Sequence, residues 1–289
     1  MFNLTSLIKR NVKVFLRDKA AVFFSFLSVI ILLSLYFLFI GAQYTSGNQF
    51  RDIDENLKTF LRVGVIMGGV LVINTVSLSF GVMGTIISDI ETRRLEGFMV
   101  TPIERYKVIF AYIISSTLVT MVLSLLMWFL TILYLGLASG YWYSFQTIIL
   151  ASLLISFYTF ISSGLMLFLV TLIKSQNAFG ALAGVLGTVI GFMSGIYIPL
   201  SALDEGIAKI ASILPFTHMT ILLKQLLLKD AYAELTIQFA EGLAVPYGSK
   251  DIGLFGLEVP MFWLMMASLG MSLILLILAY HNMNKKMVK

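Results

Sequence analysis

The residues able to do chemistry are few in this chain, and most of them sit together. The stretch 88–107, SDIETRRLEGFMVTPIERYK, holds Asp89, Glu91, Arg93, Arg94, Glu96, Glu104, Arg105 and Lys107, whereas no acid, base or His occurs from there back to Arg62 or forward past Leu135. Carboxylates and guanidinium groups interleaved at this density suit polar pairing with another protein. They do not suit catalysis. The chain has no Cys, hence no thiolate nucleophile or thiolate metal site, and its two His are scattered. No Ser/His, paired-Asp or HExxH constellation lies in an apolar run, and there is no GxxxxGK[ST] loop, so the chain cannot bind and hydrolyse ATP by that route.

Composition says what must position that cluster. Of 289 residues 59% are hydrophobic and 12% charged, and the mean hydropathy is +0.95; a soluble domain is roughly half apolar and a quarter charged. The expected fold is an all-α integral membrane protein, because a helix satisfies its own backbone groups in lipid. A densely charged stretch cannot lie in hydrocarbon, so 88–107 is expected as a compact aqueous connector between two spans. The net charge of +5 reads as basic residues gathered on the cytoplasmic side, with no nucleic acid implied.

Six spans are expected, at 20–42, 62–87, 108–135, 146–173, 178–199 and 260–281, in one transmembrane domain. Ahead of them, 1–19 sets Lys9, Arg10, Lys13, Arg17 and Lys19 among Leu4, Leu7, Ile8, Val12 and Phe15 at helical spacing, the pattern of an interfacial amphipathic helix on an anionic leaflet. Within 200–259, Ser201 and Asp204 form a capping start after Pro199, and two amphipathic pieces, 202–214 and 217–229, are split by Pro215. Each piece is too short to cross the bilayer. The pair is therefore expected as an outer re-entrant or interfacial hairpin, with the ammonium groups of Lys209 and Lys224 in water at the headgroup level. His218 is expected to be a helix-start residue at the interface and no metal ligand. Residues 230–259 are expected to be an external loop with little regular structure.

Three spans carry ordered small-residue faces. Asn74, Ser77, Gly81 and Thr85 share one stripe of the second; Ser152, Ser156, Thr159 and Ser163 share one face of the fourth; Gly180, Gly184, Gly187, Gly191 and Gly195 share one stripe of the fifth. Each reads as close helix packing, with a substrate-facing wall as the second reading. The glycine stripe could also part when the protein changes state.

An even number of spans puts both termini on one side, together with thirteen of the twenty Lys and Arg, so termini and connector are expected to be cytoplasmic. No span holds a charged residue or His in its middle, which argues against coupling to a proton or sodium gradient. Active transport would then draw its energy from another polypeptide. A membrane sensor or assembly scaffold binding a cytosolic partner through 88–107 is the alternative from another class.

The connector sequence Glu91-Thr-Arg-Arg-Leu-Glu-Gly-Phe-Met-Val-Thr-Pro-Ile-Glu-Arg105 resembles that between the second and third helices of permeases in the ABC type-2 exporter family, as do Ser194-Gly-Ile-Tyr-Ile-Pro199 and Ile213-Leu-Pro-Phe-Thr217. Order and spacing of the three extend the resemblance across the whole architecture. It implies a permease of a cell membrane, bacterial in type, that pairs with a cytosolic nucleotide-binding ATPase holding the ATP and magnesium, and that forms a homodimer or a heterodimer with a related permease. This chain itself would hold no cofactor. Within the connector the resemblance marks Glu91, Arg93, Arg94, Glu96, Gly97, Pro102 and Arg105 as the coupling residues, and Arg93-Arg94 stand where many members carry Gly-Thr. The cargo that fits an uncharged interior is apolar or amphipathic: a drug, a peptide or a lipid-like molecule.

Overall fold

A computed structural model describes residues 4–35, 41–100, 103–195, 197–198, 203–255 and 257–286. Its organising element is α3, Glu55–Glu91, 37 residues long and therefore about 55 Å, against a hydrocarbon core of roughly 30 Å. The helix starts seven residues earlier than the sequence pattern suggests, because Asp54 caps it, its carboxylate accepting from the amide of Asn56 at 3.2 Å. Apolar residues surround α3 on all sides, as a helix enclosed by others requires, and 94% of its most apolar stretch is buried.

Around α3 pack α1 (Leu4–Arg17), α2 (Lys19–Leu35), α5 (Arg105–Ser139), α6 (Phe145–Thr171), α7 (Gln176–Met193) and α9 (Pro215–Ala233), with α11 (Met261–Lys286) laid mainly against α6. The connector contributes α4, Arg94–Met99; α8, Glu205–Ala211, precedes α9, and α10, Ile237–Ala244, follows it. Five helices are long and apolar enough to cross a membrane, α3, α5, α6, α7 and α11; α2 adds 17 residues at the place of the first expected span.

Four local expectations change. Part of the apolar stripe of α1 packs on protein: Leu7 and Phe15 are buried, Phe15 against Val82 of α3 and Val119 of α5. The two halves of the hairpin are unequal, 7 and 19 residues, and meet at 91°; Pro215 begins the longer one, where its missing N–H costs nothing. The ammonium of Lys224 is not in water as expected, since α9 lies against α3 with Lys224 and His218 each 3% exposed. The ammonium of Lys224 donates to the carbonyls of Gly195 (3.3 Å) and Tyr247 (3.1 Å), and the His218 ring bonds the Ser212 carbonyl at 2.7 Å. Only Lys209 is exposed as expected, paired with Glu205. Finally, 230–259 is not without regular structure, because α10 lies within it.

Close helix approach occurs at glycines other than those of the fifth span. A Cβ on Gly68 would come within 2.5 Å of Lys224 Cγ, one on Gly64 within 2.9 Å of Leu228 Cδ2, and one on Gly164 within 2.2 Å of Ser272 Oγ. Gly64 and Gly68 let α9 lie on α3, and Gly164 lets α11 lie on α6.

Candidate functional site: a charged connector clamped to the bundle

Where α1, α3 and α5 converge, one buried carboxylate holds them together. Asp89, in the last turn of α3, is 1% exposed. It accepts from both terminal nitrogens of Arg10 on α1, Nη2 at 2.7 Å to Oδ1 and Nη1 to Oδ2, and from the Tyr112 hydroxyl of α5 at 2.6 Å. Three charge-assisted bonds on one carboxylate, two from a planar fork, fix both direction and register. The hydrogen bond to Asp89 raises the pKa of Arg10, which stays a cation. The guanidinium also bonds Asn11 Oδ1 at 3.0 Å and lies 5.5 Å from the ring centre of Phe98, on α4. Arg10 therefore touches helices on both sides of the connector's first turn.

From that clamp the connector turns outward. Arg93 takes φ 55°, the left-handed region that a side chain disfavours, and stands at the N-cap of α4. α4 is held by Leu95, 7% exposed, and by the partly buried Phe98. Glu91, Arg93, Arg94, Glu96, Gly97 and Arg105 are all exposed, and Val100 beside them is 88% exposed. Glu104 pairs with Lys107 at 2.7 Å, which lowers the pKa of the Glu104 carboxyl. Pro102 lies outside the described residues.

The profile of the ABC-2 type transporter family matches residues 3–228. The chain belongs to that family. It is thus the membrane permease subunit of an ABC transporter, a multi-pass protein, and subunits of this kind work with an ATP-binding subunit. No curated protein matches the chain.

The remaining candidate residues of this ABC-2 permease separate into three groups. Ser77, Gly81 and Thr85 of α3 face α7 across a cleft of about 450 Å³, bordered by Asp18 and Ser88 and walled by Phe80, Phe179 and Gly187. The rings of Phe80 and Phe179 are stacked 4.2 Å apart. Asn74, by contrast, turns to α5, donating to Ser124 at 3.2 Å. It belongs to a buried polar seam with Thr75–Ser162 at 3.0 Å and Ser79–Ser163 at 3.2 Å, which joins α3 to α6. Of the fourth-span face, only Ser163 reaches another helix; Ser152, Ser156 and Thr159 bond carbonyls of their own helix.

The glycine stripe divides likewise. A Cβ on Gly180, Gly184 or Gly187 would meet nothing within 4 Å among the described residues. Gly191 is covered by the Tyr197 ring, and Gly195 ends α7 with φ 68°. Asp204 caps α8, accepting from Gly206 at 3.3 Å. Pro199 lies outside the described residues.

The clamp was missed by sequence reasoning, which grouped Asp89 with the solvated charges. The signal was present in the spacing: Asp89 continues the stripe of Val82 and Ile86, both buried, so it must point inward.

Proposed function

We propose that the chain is the membrane half of an ATP-driven exporter and that 88–107 is the dock of a cytosolic ATP-binding subunit, which holds the ATP and magnesium. The observation that carries this reading is the contrast within the connector: its root at Asp89 is locked to α1 and α5, while Glu91, Arg94 and Glu96 a turn away are exposed. A subunit rotating against those charges would move α1, α3 and α5 as one lever. Both termini and the connector are cytoplasmic in this reading, in the plasma membrane of a bacterial cell, and the α8–α9 bend caps the path on the outer side.

The path itself runs along the cleft between α3 and α7. Its walls are apolar and small-polar, with no cation among the described lining residues, which suits an apolar or amphipathic cargo that is neutral or positively charged. A second copy, or a related permease, set against Gly180, Gly184 and Gly187 would close the open side. Co-expression with the ATP-binding subunit tests the dock. Arg94→Glu and Glu96→Lys should abolish co-purification and transport-coupled hydrolysis while the permease remains in the membrane. Complex formation and export unchanged in both variants would refute it.

A further inference from the structure

A second groove, of about 420 Å³, lies along the same stripe of α3 as the cleft but at the end farthest from the connector. Ile66 and Met67 of α3 form one wall, Met127, Leu130 and Thr131 of α5 the other, and Arg62 stands at its mouth. Arg62 is the one charged side chain among the described lining residues. It immediately precedes the uncharged part of α3, so it sits at headgroup depth. Its guanidinium is aimed by neighbours without being neutralised by them. Nε donates to Thr45 Oγ1 at 2.5 Å; the one nearby carboxylate, Glu55, is 3.8 Å from Arg62 but 2.8 Å from Lys58. One carboxylate between two cations leaves positive charge for an anion. The α5 wall opens sideways, with Leu130 51% exposed, toward the acyl chains of the surrounding leaflet.

We propose that this groove holds one anionic phospholipid of the leaflet at that end, its phosphate on Arg62 and an acyl chain between α3 and α5. A planar guanidinium suits a phosphate through two parallel bonds, and a chain entering between Met67 and Met127 meets flexible, polarisable walls that adapt to it. The groove shares no lining residue with the cleft toward α7 and serves as a fixed lipid position on the central helix, not as a transport path.

Native mass spectrometry of the full chain in detergent tests it, with phosphatidylglycerol, phosphatidylcholine of matched chains, and oleate as probes. Wild type should retain phosphatidylglycerol roughly tenfold more tightly than phosphatidylcholine, the scale of one charge-assisted contact. Arg62→Gln should remove that preference. Thr131→Phe, which fills the groove without touching Arg62, should weaken both phospholipids by a similar factor. Retention of phosphatidylglycerol by Arg62→Gln at the wild-type level, or no preference in wild type, overturns the site. Tighter retention of oleate than of phosphatidylglycerol overturns the phospholipid assignment.

Discussion

Helices α3 and α7 are both apolar and both carry several glycines, yet their surroundings are opposite. In α3, 94% of the spanning stretch is buried, and Gly64 and Gly68 are pressed by α9; in α7 the figure is 11%, and Gly180, Gly184 and Gly187 face open space. Everything α3 needs is supplied within the chain. α7 presents a smooth face, flanked by the exposed Val185 and Val189, that none of the described residues covers. A glycine face packed inside a subunit and one left open can look alike in sequence, and only the set of surrounding helices distinguishes them.

That contrast predicts where substitutions act. The largest effect should come at the base of α3: Asp89→Ala strands Arg10 without its partner and is expected to cost about 3–5 kcal/mol, read as a fall in thermal midpoint. Adding Arg10→Ala should then cost much less than it does alone, because the pair forms one unit. Additive losses would mean that the clamp is not a unit. Gly68→Leu comes next, at about 1–3 kcal/mol, since the backbone of Lys224 lies 3.0 Å from an added Cβ. Arg93→Gly should stabilise by about 1 kcal/mol, relieving a left-handed side-chain-bearing residue. The smallest change belongs to α7. Gly184→Leu should stay within about 0.5 kcal/mol in the dispersed single chain; a loss as large as that of Gly68→Leu would erase the distinction between the two helices.

Much of the bundle was legible because uncharged runs of spanning length are hard to mistake: α5, α6 and α11 lie close to the expected limits, whereas α7 ends at Met193, short of the expected 199. The charged connector was legible for the same reason in reverse, and Glu91, Arg94 and Glu96 stand exposed on it. What could not be read were contacts between distant segments. The basic face of α1 hid Arg10, whose partner is 79 residues away. Lys224 looked like a headgroup residue because α9, taken alone, is interrupted by charge, whereas Gly68 opposite makes room for its stem. Regular spacing also drew attention to the α7 stripe over Gly64 and Gly164, whose importance depends on what crosses them.

The most direct test of the paired assembly uses the absence of Cys. Gly180→Cys, Gly184→Cys and Gly187→Cys, made singly and oxidised in native membranes, should each yield a cross-linked dimer, while Leu153→Cys on the exposed face of α6 should not. If the permease pairs with a related chain instead, the matching cysteine in that chain should restore the cross-link. Monomer alone from all three α7 positions, or a cross-link as strong from Leu153→Cys, would contradict the claim that the open face of α7 is where a second subunit closes the path.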